Sequence, residues 1–201
     1  MRKLVLLAVL FAPLTVAAQS TGTPVFAAPY RAFAKSEIGL SLSDPGSGVA
    51  LEGFYKAGHK NWDVGFRGGF WDLGAGTNST AILLGVDGRT RVLTHSQSFP
   101  LDGALTLGAG ASLVNQFNQF NQFMFPIGIS LGRRVDLEGS STSFVPYFQP
   151  VLTPVFGNGN SDLLFSIGLG ADVKLNRQVD LRVSGAIGAM DGVSVSFAWL
   201  R

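Results

Sequence analysis

The sequence predicts an all-β protein: an antiparallel up-and-down barrel of about ten strands, with eight or twelve as alternatives. From Leu163 to Leu175 apolar residues alternate with small or polar ones, which is the period of a strand and not of a helix. The pattern restarts after the turn at 176–178 and again after Asp191-Gly192, a strong hairpin signal. No stretch beyond residue 18 has a helical period of useful length, so strands must build the whole fold.

The N-terminus has the three parts of a secretory signal peptide. Residues 1–3 include two basic side chains, residues 4–16 are apolar, and Val16-Ala17-Ala18 offers a small-residue cleavage site. The apolar run is too short for a transmembrane helix, and Pro13 interrupts it. We therefore predict a signal peptide at 1–18, an N-terminal extension at 19–35 and one barrel domain at 36–201.

Composition excludes several classes of function. Residues 1–18 carry two of the 15 basic residues and none of the 13 acidic ones, so the processed chain is formally neutral and has no nucleic-acid footprint. The chain has no cysteine, which excludes disulfides, thiolate metal sites and a lipid-modified N-terminal cysteine. Only 14 % of its residues are charged, whereas a soluble surface carries about 25–35 %.

The elements follow one another as an uninterrupted meander. The extension, with Gly22, Pro24 and Pro29, shows no clear alternation, and we expect it to tuck against or into the barrel. Each strand is an alternating run between turn residues, as in Ile38, Leu40 and Leu42 opposite small or charged neighbours. The predicted strands are Ser36–Ser43, Val49–Ala57, Trp62 to Phe70, Thr80–Leu93, Leu101–Val114, Phe125–Val135, Phe144–Phe156, Asp162–Leu175, Val179–Gly188 and Val193–Trp199. The seventh of these looks irregular.

Two features favour an apolar outer wall and a polar interior. The polar face is rich in glycine and serine with sparse charges of both signs, which suits a confined interior. Aromatic residues fall near strand ends, where the interfacial girdles of a membrane barrel belong. These aromatic residues are Tyr55, Trp62, Phe70, Trp71, Phe123, Phe125, Phe197 and Trp199.

With these features the chain resembles small bacterial outer-membrane β-barrel proteins, either OmpA/OmpX-like or another barrel of 8–12 strands. The resemblance covers 36–201 and rests on the signal peptide, on Leu163-x-Phe165-x-Ile167-x-Leu169 and on the final strand with Phe197 and Trp199. It implies an outer-membrane location, with both termini in the periplasm. Such proteins usually end on Phe or Trp, which the assembly machinery reads, whereas Leu200-Arg201 follow here.

Charged residues on the polar face are predicted to line the lumen. We expect opposite charges to pair between adjacent strands, Glu52/Lys56 with Asp63/Arg67 and Asp172/Lys174 with Asp180/Arg182. Such charges either satisfy one another in a filled interior or set the selectivity of a pore, and the small strand number favours filling. The predicted lumen charges are Glu37, Glu52, Lys56, Asp63, Arg67, Asp87, Arg89, Arg91, Asp102, Arg134, Asp172, Lys174, Asp180 and Arg182.

No catalytic or metal-binding constellation is evident. His59 and His95, the only histidines, fall in turns predicted on the periplasmic side and are interpreted as solvated. Barrel proteases and lipid-modifying barrel enzymes would be expected to carry histidine with acidic partners at the outer rim. No set of side chains has metal-ligand spacing, and no cofactor is predicted.

Two local features carry further hypotheses. One predicted strand carries three prolines spaced by four residues, Pro146, Pro150 and Pro154. Residues at this spacing direct their backbone groups to the same neighbouring strand, so the missing N–H donors predict a weak seam on that side. The seam is either a lateral opening or oligomer contact, or a bulge in an otherwise closed wall. The threefold Asn-Gln-Phe at 115–123 is either a partner-binding tip or a low-complexity loop.

The predicted function is therefore a structural or interaction role in the outer membrane, without enzymatic activity. Its partners would be outer-membrane lipids, the assembly machinery and an envelope protein, with no nucleic acid. The alternative is a narrow passive pore for small solutes or ions. Less favoured are an omptin-like or lipid-acting enzyme and a soluble periplasmic binding barrel.

Overall fold

Strands make up most of the described chain. The computed structural model describes residues 20–29, 35–74, 79–114, 121–139, 142–189 and 191–201, and in these ranges it contains no helix. The predicted signal peptide and most of the Asn-Gln-Phe repeat lie outside them. The strand segments are β1 Glu37–Asp44, β2 Val49–Gly58, β3 Trp62–Asp72, β4 Thr80–Leu93, β5 Asp102–Val114, β6 Gln122–Met124, β7 Ile127–Gly132, β8 Val135–Asp136, β9 Ser143–Gly157, β10 Asn160–Lys174, β11 Val179–Gly188 and β12 Gly192–Leu200.

These segments form a closed antiparallel barrel with up-and-down topology. β1 pairs with both β2 and the last strand, β12, which closes the ring. β6, β7 and β8 follow one another along β9, so together they occupy one position, and the barrel has ten. The predicted fold class is confirmed. We call the end where β1 begins and β12 finishes the terminal end, and the opposite end the distal end.

The apolar face of the strands points outward. Leu40, Phe66 and Leu163 are 60 %, 65 % and 60 % exposed, whereas the inward-facing Glu37 and Glu52 are each 1 % exposed. Because successive residues of a strand lie on opposite faces of the sheet, the apolar residues form the outer wall and the charged residues line the interior. The structure therefore has the apolar outer wall and the polar interior that the sequence predicts.

The sixth barrel position is interrupted where β9 carries proline. The carbonyls of Pro154 and Pro146 accept hydrogen bonds from Phe125 (3.0 Å) and Arg133 (3.4 Å), so the prolines' missing N–H groups face this same neighbour. Both donor residues, Phe125 and Arg133, lie in the gaps between the three segments. On its other side β9 pairs with β10 along its entire length.

No residue is inserted at these interruptions. Met124 faces Val155 and Gly132 faces Tyr147, which is one constant register across the first gap. The wall therefore has no bulge here. It lacks the backbone N–H donors that the prolines of β9 cannot supply. How much this weakens the seam stays a prediction.

Two local expectations were wrong. The seventh predicted strand, β9, is regular and shares the greatest strand length, 15 residues, with β10. Trp71 does not belong to an outer aromatic girdle, because its ring is buried at the distal end of the interior. Its Nε1–H donates to the carbonyl of Ser47 at 2.8 Å, which satisfies the indole and ties β3 to the β1–β2 turn.

Hydrogen exchange will test the seam within a single strand. The Phe148 and Leu152 amides share the parity of the prolines and face the interrupted neighbour, whereas the Tyr147 and Val151 amides face β10. We expect Phe148 and Leu152 to exchange at least about tenfold faster, because local opening is easier where neighbouring bonds are missing. Equal protection of the two sets, measured by NMR in micelles, would contradict a weak seam.

Candidate functional site

The barrel interior holds the charged residues that the sequence predicted there, with one exception. Arg134 is exposed beyond the wall at the terminal end, and its guanidinium lies 2.7 Å from the exposed carboxylate of Asp136. The prediction placed it in the lumen because it continues the polar parity of β7. The strand ends at Gly132, however, so that parity no longer fixes a direction.

Arg182 is the centre of the first buried ion-pair group. Its two terminal nitrogens donate to the two carboxylate oxygens of Glu37 at 2.8 and 2.5 Å. Its Nε lies 3.3 Å from Asp172 Oδ2, and its guanidinium lies 5.9 Å from the centre of the Phe54 ring. All these side chains are buried, so the arginine exchanges water for two carboxylates and an aromatic face.

Arg89 forms the second group with Asp63 on the neighbouring strand. The Arg89 Nε lies 3.2 and 3.0 Å from the two carboxylate oxygens, and Nη2 contacts one of them as well. Arg89 Nη1 donates to the backbone carbonyl of Ala28 in the N-terminal extension. One buried cation thus joins the barrel wall to the chain that precedes it.

The third group joins β2, β3 and β4. Lys56 Nζ donates to Asp87, and Arg67 lies 3.7 Å from Asp87 and 3.8 Å from Glu52. Gly65 lies in register between Lys56 and Asp87, and a Cβ there would be 2.4 Å from Lys56 Cγ. The missing side chain lets the lysine reach across β3.

The predicted adjacent-strand pairs are thus only part of the arrangement. Glu52 with Arg67 and Asp172 with Arg182 lie between neighbours as expected. The close Arg182–Glu37 pair instead spans β12, where the inward residues Ser196 and Ala198 are small. Pattern reasoning missed this pair because it compares neighbouring strands and not side chains that meet across the interior.

The remaining predicted lumen charges lie toward the terminal end. Asp180 and Asp102 are buried, and Arg91 and Lys174 are half-buried. Asp102 accepts hydrogen bonds from the His95 backbone N–H at 3.1 Å and lies 3.0 Å from His95 Nδ1. His95 therefore has an acidic partner that the sequence interpretation missed, and the pair anchors the β4–β5 connection.

His59 behaves as a surface residue. It is exposed and stacks on Trp62 with 4.8 Å between ring centres. Within the described ranges, no group of three or more histidine or acidic side chains is arranged to hold a metal ion.

The described part of the N-terminal extension before Lys35, residues 20–29, lies inside the barrel. Every residue from Ser20 to Pro29 except Ala27 is buried. Its backbone is held by the wall: Ser184 and Ser194 donate to the Pro24 carbonyl at 2.8 and 3.0 Å. Ser130 donates to the Ala27 carbonyl at 2.8 Å. We call residues 20–29 the internal segment.

Side chains of the internal segment complete both halves of the interior. Thr23 donates to Glu52 at 2.6 Å on the charged side. Phe26 belongs to an apolar cluster with Met124, Val145, Tyr147, Val151, Val155 and Leu164 on the opposite side. A Cβ at Gly168 would lie 2.3 Å from the Phe26 ring, so this position must be glycine for the ring to fit.

Little empty space is left between the internal segment and the charged wall. A cavity of about 30 Å³ is lined by Phe26, Phe54, Arg67, Asp87 and Arg182, among others. That volume suits about one water molecule, which polar partners on several sides would hold.

Comparison with known proteins gives no family for this chain: no family model and no curated protein matches it. The described residues contain no helix with the length and hydropathy to cross a bilayer.

The Glu37–Arg182 pair provides a stability test. We expect Glu37→Gln to lower the free energy of unfolding by about 3–5 kcal/mol, because it leaves a buried guanidinium short of one charge. The measurement is urea unfolding in micelles followed by tryptophan fluorescence.

The matched control is Asp136→Asn, which breaks the exposed pair with Arg134. It should change the free energy of unfolding by no more than about 1 kcal/mol. Equal losses in the two variants would contradict the importance of the buried pair.

Proposed function

We propose that this chain is an integral outer-membrane β-barrel, inserted after signal-peptide cleavage, with a structural or interaction role in the envelope. The observation that carries the proposal is the outer wall. Outward residues such as Leu42, Ile82, Val195 and Phe197 are exposed on a barrel whose charges are inside. Water does not stabilise such a wall, whereas a bilayer does.

The strand lengths suit this environment. A tilted membrane strand needs about 9–11 residues, and most strands here have 9 to 15. At the terminal end Trp62 and Trp199 are half-exposed on the outer wall, where an interfacial girdle would lie. The last strand, β12, carries Phe197 and Trp199 outward and is the element we propose the assembly machinery reads.

Filling of the interior favours this role over a passive pore. The internal segment and the ion pairs leave a cavity of about one water, so conduction would need the segment to move. An interaction role is supported at the distal end, where residues 158–163 of the β9–β10 hairpin are exposed on both faces. We propose no catalytic function, because the His95–Asp102 pair is accounted for by the turn it anchors.

Membrane fractionation of cells that express the full-length chain tests the proposal. We expect the processed protein in the outer membrane, with faster migration in SDS gels before boiling than after it, because a closed barrel stays compact in detergent. The purified protein should give no reproducible conductance steps in planar bilayers. A soluble periplasmic product without the mobility change would refute the membrane assignment, and steady steps would favour the pore.

Cysteine labelling tests whether the internal segment seals the interior. The chain has no cysteine, so Ser184→Cys gives a single probe beneath the segment. We expect a water-soluble maleimide to label it at least about tenfold faster when residues 20–29 are deleted, because labelling in the intact protein requires a local opening. Asp191→Cys, in an exposed turn, should be labelled equally in both backgrounds. Fast labelling of Ser184→Cys in the intact chain would contradict a sealed interior.

A further inference from the structure

The outer wall has an apolar groove across β12, β1, β2 and β3. Its volume is about 630 Å³. The residues that line it include the aromatic side chains Tyr55, Phe66 and Trp199 and the glycines Gly53 and Gly68. The two glycines face each other in register on neighbouring strands, so the depression continues from one strand to the next.

The fold does not require glycine at the floor of this groove. A Cβ at Gly53 would lie 3.8 Å from its nearest neighbour, and a Cβ at Gly68 would lie 3.5 Å away, both ordinary contact distances. Neither residue has a positive φ. A Cβ at either position would therefore meet no clash, in contrast to the inward-facing Gly65, where a Cβ would collide with Lys56.

The strands that line the groove are flanked by cations at the terminal end. Arg201 lies two residues after the outward-facing Trp199, at the end of β12. Lys35 precedes β1, and Lys60 lies in the β2–β3 turn. All three are exposed. The acidic residues nearest in sequence, Glu37 and Asp63, are buried and paired inside the barrel, so they do not neutralise these cations.

The two ends of the barrel differ in charge. The exposed charged residues described at the distal end are Asp44, Asp72, Asp162 and Asp191, all acidic. A second apolar groove of about 580 Å³, between Phe66 and Phe125 over Ala109 and Ala111, lies toward that end and away from the three cations. Of these two grooves, the one beside Tyr55 and Trp199 combines an apolar trough with cations at the adjoining strand ends.

We propose that this groove binds an anionic glycerophospholipid of the leaflet at the terminal end. An acyl chain lies over Gly53 and Gly68, and the phosphate lies near Lys35, Lys60 and Arg201. Aromatic walls and a smooth floor suit a hydrocarbon chain, and exposed basic residues near a membrane surface attract anionic headgroups. This site rests on the proposed membrane function.

Filling the groove tests the acyl-chain contact. The processed protein is reconstituted in vesicles of equal parts phosphatidylglycerol and phosphatidylcholine, extracted in mild detergent, and its retained lipids are counted by native mass spectrometry. We expect wild type to retain phosphatidylglycerol, and Gly68→Leu to retain at least about tenfold less, because its side chain occupies the trough. Ala109→Leu, in the second groove, should behave as wild type. Unchanged retention by Gly68→Leu would overturn the proposal.

Neutralising two of the flanking cations tests the headgroup contact. The double variant Lys35→Gln/Lys60→Gln should lower the preference for phosphatidylglycerol over phosphatidylcholine by about fivefold per removed charge. The control, Arg133→Gln/Arg134→Gln, removes the same charge from the same end but beside β7 and β8. An equal loss in the control would show that the net charge of this end selects the lipid, and would overturn the site.

The mobility change on heating separates the two proposals. A wild-type chain that neither inserts into vesicles nor shows this change would refute the membrane function itself. A chain that inserts normally but retains the same lipids with its groove filled would refute only the lipid site.

Discussion

The burial of Arg182 is the constraint on which the interior depends. A wall that is apolar outside must turn its polar residues inward, where they are removed from bulk water, so each buried charge needs a partner. Arg182 meets that need through Glu37 on one side and Asp172 on the other. Because these carboxylates lie on β1 and β10, a single guanidinium connects strands on both sides of β11 and β12 and fixes their relative positions.

The wall and the internal segment depend on each other. Inward residues of β10 to β12 are mainly glycine, serine and alanine, which leaves a space that their own side chains cannot fill. Phe26 fills part of this space above Gly168, and Ala28 accepts a hydrogen bond from Arg89. The small inward residues of β10 to β12 leave room for the internal segment. A barrel filled by that segment therefore explains why these residues are small.

Sequence alternation predicted the fold because a strand has only two faces. A shift of one residue would turn every charged side chain of a strand to the outer wall. It could not predict partners such as Glu37 for Arg182, since that distance depends on barrel curvature and on the small residues of β12 between them. It misplaced Arg134 and Trp71, because parity loses its meaning where a strand ends and because an aromatic residue near an end can face either way. The expectation that the extension tucks against or into the barrel describes residues 20–29, which lie inside. Their detailed path could not be predicted, because the segment has no periodicity.

The formal neutrality of residues 19–201 hides a separation of charge along the barrel axis. Among the described residues, the distal end exposes Asp44, Asp72, Asp162 and Asp191. The terminal end exposes two acidic residues, Asp136 and Glu138, and a larger set of cations: Lys35, Lys60, Arg133, Arg134, Arg177 and Arg201. Charges at a membrane surface interact with headgroups over about a Debye length, so the two ends favour different surroundings. In the proposed orientation the basic end lies in the periplasmic leaflet beside anionic phospholipid, and the acidic end faces outward. In this proposal the ion pairs of the lumen stabilise the barrel, and the charges at its two ends orient it in the membrane. Neither of these two roles requires the interior to conduct.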